Sequence, residues 1–279
     1  MTIFPCAKIN LGLNIISKRT DGYHDLETVF YPIPLLDALE IECMDDDFPS
    51  KNKCDISISG IDIPDDNKDN LVVQAYNLLD RDFNLPRLHV HLYKHIPLQA
   101  GLGGGSSDAA YMIRLLNQRF GLGISIDKMR HYAAQLGADC PFFITAEAAY
   151  GTGIGEQLVP LTTDVELLKD RYIAIVKPDV AVSTREAFAN IKPKHPAKCC
   201  RNIICQPMET WKDELKNDFE ETIFKIHPTL NDIKNKLYSL GAIYASMSGS
   251  GSSLFGLFDN KPEGIDRVFA DCFTWTERL

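Results

Sequence analysis

Of the features that would place a chain in a membrane, outside the cell or on nucleic acid, this 279-residue sequence has almost none. No apolar run reaches the roughly 18 residues that span a bilayer, and the N-terminus MTIFPCAKIN lacks a basic segment leading into an apolar signal core. Both absences predict a soluble, cytoplasmic protein. Basic residues are in deficit, 29 Lys and Arg against 38 Asp and Glu for a net charge of −9. That leaves no general footprint for nucleic acid or an anionic membrane, so a polyanionic ligand would need local positive charge. Eight cysteines are scattered rather than densely spaced, which excludes a secreted disulfide scaffold and predicts reduced thiols. Cys199, Cys200 and Cys205, with His195 before them, lack the paired spacing of a zinc knuckle and read as loop cysteines. Internal repeats and long low-complexity linkers are absent as well, and the length suits two domains or one large one.

Against these absences stands one dense feature, the stretch PLQAGLGGGSSDAA from Pro97 to Ala110. Glycines let backbone N–H groups converge, Ser and Asp are good helix caps, and a helix N-terminus below such a loop attracts an anion. Phosphate is the anion to expect. The common phosphate loops are excluded: no lysine completes G-x-x-x-x-G-K-[ST], Ser106 stands where G-x-G-x-x-G requires glycine, and neither H-R-D nor D-F-G occurs.

Upstream, the apolar strand AKINLGLNII carries Lys8, Asn10 and Asn14 on one face. Polar groups in such a strand are costly unless paired or used. They mark either a half-exposed edge strand or the wall of a site. Asp21-Gly22 signals a turn, followed by Tyr23 and His24. Strands are expected at Leu39–Met44, Cys54–Ile58 and Leu88–Tyr93, with solvated acidic turns at Asp45–Asp47 and Asp62–Asp69 and a helix over Asn70–Arg81. His89 and His91 share a strand face without a carboxylate or cysteine in the segment and read as exposed residues, not metal ligands. The glycine loop should feed a helix from about Ser106 to Phe120, and a second helix should run from Ile126 to Leu136 and stop at Gly137. Asp139 then stands in a turn before Pro141, as a cap or a placed carboxylate.

Beyond it, Gly151 to Gly155 reads as a loop closing the first domain. A strand at Tyr172–Val176, a helix at Thr184–Ile191 and a connection from Lys192 to Pro207 follow. Helical patterns cover Asp213–Ile226 and Thr229–Leu240. AIYASMSGSGSSLFGLF reads as strand, Gly-Ser turn and strand, and Pro262–Trp275 as a last helix. The alternation suggests a small α/β sandwich.

Four stretches in order, AKINLGLNIISKRTDGYHDLETVF, HIPLQAGLGGGSSDAA, LGADCPFF and SGSGSSLFG, resemble the GHMP kinase family, named for its galactokinase, homoserine kinase, mevalonate kinase and phosphomevalonate kinase members. The order and spacing match over essentially the whole chain. More narrowly, DGYH is similar to the branch whose acceptor is a cytidine diphosphate derivative of methylerythritol in the non-mevalonate isoprenoid route. The resemblance implies an α/β (α+β) two-domain protein. An N-terminal domain like the second domain of ribosomal protein S5 would span 1–156 and a ferredoxin-like domain 157–279. It assigns the chemistry to Lys8 and Asp139. The stretch of Pro97, Gly101, Leu102, Gly103, Gly104, Gly105, Ser106 and Ser107 falls to the ATP phosphates, and Asn70, Leu71 and Lys94 to the adenine side. Asn10, Tyr23 and His24 fall to the acceptor, with Phe188 as a second aromatic against cytosine. ATP and Mg²⁺ are implied, the ion's ligands lying among Ser106, Ser107 and Asp139, with Ser107 the first candidate. A small-molecule partner is implied; oligomeric state is not. Two departures from the family pattern are Gln99, at the loop entry, and Cys140, after Asp139.

General chemistry agrees with these roles. Phosphoryl transfer needs the acceptor hydroxyl held in line, a carboxylate for its proton and positive charge for the equatorial oxygens.

Overall fold

A computed structural model describes residues 1–61, 70–161, 168–189 and 191–279; the acidic stretch Asp62–Asp69 lies outside the described residues. The chain opens with β1 (Thr2–Ile3), β2 (Cys6–Lys18), β3 (His24–Leu36), β4 (Ala38–Cys43) and β5 (Cys54–Gly60). Next come α1 (Leu71–Phe83), β6 (Leu88–Lys94), α2 (Gly104–Phe120), α3 (Ile126–Ala134), α4 (Cys140–Phe143), β7 (Ala149–Thr152) and β8 (Gln157–Pro160). Then follow β9 (Tyr172–Pro178), α5 (Thr184–Ala189), α6 (Cys200–Ile204), α7 (Trp211–Glu214), α8 (Phe219–Ile226) and α9 (Pro228–Ser239). The last elements are β10 (Tyr244–Met247), β11 (Leu254–Phe258), α10 (Ile265–Val268) and β12 (Cys272–Arg278). Two compact units are assembled from separated stretches, one from 1–7, 35–98 and 103–146, the other from 8–34, 99–102 and 147–279.

The first unit is built on a sheet of order β1-β4-β6-β5, antiparallel except for the parallel pair β5 and β6. In β6 the alternation LHVHLYK turns Leu88, Val90 and Leu92 into the core. Asn70 opens α1 by accepting the Val72 N–H at 2.9 Å. α2 begins at Gly104, two residues earlier than expected. Its cap is Gly103, left-handed at φ 73°, whose carbonyl accepts the Ser107 N–H at 2.8 Å, so no side chain caps the helix. Asp108 is therefore inside the helix and buried. Of the expected apolar stripe, Ala109, Ala110, Met112, Ile113 and Leu116 are buried, while Phe120 is only partly so. α3 ends at Ala134, two residues short of the expected Leu136. His89 and His91 do find partners, but on the neighbouring strand: Asp55 at 2.9 Å and Ser59 at 2.9 Å. No cluster of three metal-ligating side chains occurs among the described residues.

The second unit holds two sheets, β2-β3-β7-β8 and the antiparallel β10-β11-β9-β12. Its core packs Leu13 and Ile15 of β2 with Val176, Phe219, Ile223, Leu237, Met247 and Leu254. Gly151 lies in β7 while Gly153 and Gly155 make the turn of the β7–β8 hairpin, so the stretch is not an open loop. Three further expectations fail for identifiable reasons. Asp213–Ile226 is not one helix, because 215–218 run along β2: the Leu13 N–H donates to Lys216 O at 2.9 Å and the Asp218 N–H to Leu13 O at 2.8 Å. Pro262–Trp275 keeps only one turn, α10, since the alternating β-branched and aromatic FTWTER pairs as strand β12 with β9. The connection after Lys192 carries α6, whose Cys200, Ile203 and Ile204 are buried. With antiparallel sheets dominating, the fold is α+β. Among the described residues, no helix is long and apolar enough to cross a membrane.

Candidate active site

The polar face of β2 is not half-exposed. Lys8, Asn10 and Asn14 are 3%, 1% and 8% accessible, and such groups stay buried only when hydrogen-bonded. Lys8 Nζ donates to Asn10 Oδ1 at 2.6 Å, Asn10 Nδ2 to Thr28 Oγ1 at 3.0 Å, and Thr28 Oγ1 to the Gly12 carbonyl at 2.5 Å. The ammonium also lies 5.5 Å from the centre of the Phe30 ring. Farther along, Asn14 Nδ2 donates to buried Glu27 at 2.8 Å, and Glu27 also accepts from Tyr150 and from the Cys200 N–H. The strand thus presents Lys8 and Asn10 in one fixed arrangement.

Within this same unit, the first part of the glycine loop lies on the late Gly-Ser turn. The Lys8 N–H donates to Leu102 O at 3.0 Å, the Ser253 N–H to Ala100 O at 3.1 Å and Ser248 Oγ to Gly101 O at 2.9 Å. Gly101 admits no side chain: its φ is +71° and a Cβ there would fall 1.9 Å from Ser248 O. Gln99, the first departure from the family pattern, is itself left-handed at φ 48°, a conformation uncommon outside glycine and asparagine. A position beside Gly249 lies 3.3 Å from Lys8 Nζ, so the turn reaches the lysine as well as the loop. Buried Asn217 fixes that turn, donating from Nδ2 to Met247 O and Gly249 O at 2.8 Å each.

In the first unit, Gly103, Gly104, Gly105, Ser106 and Ser107 form the start of α2. Leu71 flanks Gly105, and Pro97 is buried on the approach to the loop. Ser107 Oγ is fully buried with no hydrogen-bond partner among the described residues. Ser106 hydrogen-bonds Cys140, whose thiol is pushed up to about 12, first by burial, with Ser106 opposing and the Asp139 charge adding. Cys140 is fully buried and acts as packing. Asp139 is half-buried and makes no capping bond to α4, which removes the cap reading. Lys94, expected on the adenine side, is 1% exposed, with its ammonium on Asp37 and Asp108. Burial alone would pull its pKa down, but Asp108 and Asp37 reverse this and hold it raised. Asp108 is pushed up to about 7, by burial first, with Lys94 opposing.

Of the residues expected at the acceptor, Tyr23 is 60% exposed on its turn. His24 stacks on Phe188 with ring centres 4.8 Å apart and planes 22° from parallel, and Phe188 in turn meets Phe219 edge-on at 4.8 Å. Burial and then the Lys18 charge hold the His24 imidazole below its ordinary pKa, which favours the neutral ring. The sequence reading missed Thr28, Glu27, Asp37, Asp108 and Asn217. Only Glu27 and Thr28 left a signal, as polar residues in the hydrophobic stretch LETVF.

Residues 70–147 match the family model for the GHMP kinases N terminal domain and residues 199–269 that for the GHMP kinases C terminal. The chain belongs to the GHMP kinases. It is 52% identical over 275 residues to the 4-diphosphocytidyl-2-C-methyl-D-erythritol kinase of Bacteroides fragilis, covering 98% of each chain. Against the protein of the same name from Bacteroides thetaiotaomicron it is 53% identical over 264 residues, covering 95% of this chain and 93% of the other. Among solved structures, a 4-(cytidine 5'-diphospho)-2C-methyl-D-erythritol kinase aligns with a TM-score of 0.83 at 28% identity, covering 99% of this chain and 98% of that one. The Methanococcus jannaschii mevalonate kinase, at 14% identity and a TM-score of 0.72 over 100% and 98% of the chains, shares the fold.

Proposed function

We propose that this chain, in the cytoplasm, transfers the γ-phosphoryl group of ATP to the 2-hydroxyl of 4-diphosphocytidyl-2-C-methyl-D-erythritol, a step of the non-mevalonate isoprenoid pathway. The observation that carries this reading is identity of about half over nearly the full length of relatives bearing that kinase name. The stacked His24 and Phe188 support a planar base as part of the acceptor. We further take 1–156 as the ATP-binding domain and 157–279 as the C-terminal domain. The family matches at 70–147 and 199–269 fall on either side of that division, while the compact units cut across it.

In this reading the amides of Gly101 to Ser107 hold the phosphates, Asn70 and Leu71 border the adenine, and Asp139 accepts the proton of the acceptor hydroxyl. Lys8, oriented by Asn10, offers charge to the transferring group. Asn10 also holds the acceptor, and Tyr23, His24 and Phe188 hold its cytosine. Base–aromatic stacking is worth on the order of 1–3 kcal/mol, and hydrogen bonds to the base edge discriminate because a wrong base leaves buried groups unpaired. The buried, unpartnered hydroxyl of Ser107 fits Mg²⁺, which prefers oxygen donors. When bound, the ion neutralises charge on the phosphate oxygens.

The test is ADP release from ATP by the purified protein, with the cytidylated alcohol, its uncytidylated form, mevalonate and homoserine compared. Turnover confined to the cytidylated alcohol is expected. Preference for mevalonate or homoserine would overturn the assignment of the acceptor, and ATP binding without turnover on any of them would point to a sensor.

A further inference from the structure

Lys94 ends β6, the strand that leads into the glycine loop, and its ammonium is buried within the protein at 1% exposure. Two carboxylates take it. One is Asp108 on α2, with Oδ2 at 2.7 Å; the other is Asp37, in the short link between β3 and β4. Asp37 does more than neutralise. Its second oxygen accepts the N–H groups of His95 at 2.6 Å and Ile96 at 2.9 Å, so it holds the backbone between β6 and Pro97. The Lys94 carbonyl is taken by the Ile61 N–H at 2.9 Å, which anchors the strand end from the other side. Gly104, the first residue of α2, sits directly on this cluster: a Cβ there would lie 2.9 Å from Ile96 and 3.4 Å from Lys94 Nζ. Strand end, loop approach and helix start therefore meet at one ammonium.

We propose that Lys94 is a positioning residue for nucleotide binding: through Asp108 and Asp37 it fixes the first turns of α2 against the end of β6, and so sets the amides of Gly103 to Ser107 for the phosphates. This rests on the reading that the loop holds ATP. A buried ion cluster adds little net stability, because desolvation offsets attraction, but it is directional, and charge-assisted hydrogen bonds specify geometry. Preorganised amides bind an anion without reorganisation, so a small displacement of the helix start is felt in affinity. Lys94 thus acts on ATP through the loop and not by touching adenine.

The experiment measures the ATP dissociation constant by calorimetry and the acceptor KM, beside thermal melting, in the full-length protein. Lys94→Met should weaken ATP by about tenfold or more, as a misplaced site does, with the acceptor KM changed by less than about twofold. Should that variant fail to fold, Asp108→Ala leaves Lys94 with Asp37 and cuts only the tie to α2; it carries the same expectation. Asp108→Asn, whose amide oxygen still accepts from Lys94, should recover most of the affinity lost in Asp108→Ala. Unchanged ATP affinity in folded Lys94→Met or Asp108→Ala overturns the proposal, as does parallel loss for ATP and acceptor. No ATP binding by the wild-type protein would instead refute the reading of the loop.

Discussion

The two units keep polar groups in their interiors by opposite means. In the first, charge meets charge: Lys94 sits between Asp37 and Asp108. In the second, a ladder of amides and hydroxyls runs from Lys8 through Asn10 and Thr28 to a backbone carbonyl. The difference is one of tolerance. Asp37 alone serves three donors, the Lys94 ammonium and the His95 and Ile96 N–H groups, whereas a ladder member such as Thr28 serves one donor and one acceptor. The first unit concentrates its geometry in a few residues; the second spreads it along two strands.

Four measurements would break or sharpen that contrast. The largest effect belongs to the carboxylate proposed for proton transfer. Asp139→Asn should lower kcat by about 10²–10⁴-fold, as loss of a general base does, with ATP affinity retained; near-normal turnover would remove Asp139 from the chemistry. Next, Asp37→Ala should cost about 3–5 kcal/mol in urea unfolding, since Lys94 loses a partner and two backbone amides lose theirs. Thr28→Val, cutting the ladder at its middle, should cost less, about 1–3 kcal/mol, because Asn10 Nδ2 and the Gly12 carbonyl each lose a partner. Equal costs for these two variants would erase the distinction between the units. The smallest effect is a pH response. His24 has its pKa lowered in the fold, so the unfolded chain takes up the proton first as pH falls through the ordinary 6.5. Its contribution to stability is present above that value and lost below it. Acceptor KM should rise over the same window while ATP affinity does not, and a flat acceptor KM profile would separate His24 from the base.

How much of this was legible depended on where the partners lie in sequence. Lys8, Asn10 and Asn14 announced themselves because three polar residues on one face of an apolar strand need an explanation. Their burial was not legible, since their neighbours lie far along the chain, Gly249 beside Lys8, Thr28 on Asn10 and Cys200 on Asn14, while 215–218 pair along β2 at Leu13. The same pairing broke the helix expected over Asp213–Ile226. The glycine loop was legible as the junction of strand and helix, but its cap was not: Ser106 and Asp108 have good capping chemistry, yet Gly103 took the left-handed position and left Asp108 to the interior. Lys94 gave least warning. At the end of LHVHLYK it looks like any basic strand terminus, and its partners stand 57 residues before it and 14 after. The final strand was misread because Pro262–Trp275 has helical spacing only in part, and β9 offered it an edge.

By itself the sequence determined the local pattern: a glycine-rich loop opening a helix, a DGYH turn carrying an aromatic and a histidine, a strand with polar residues on one face, and through them the family. Those features are set by residue type and short spacing, which act before the chain is packed. Tertiary structure alone decided which polar groups are spent internally. It set Lys94 against two aspartates, laid His24 on Phe188, and placed Ser248 where Gly101 can carry no side chain. The physical reason is that a buried charge or amide must be satisfied by whatever the fold brings near it, and that neighbour is chosen by packing, not by position in the chain.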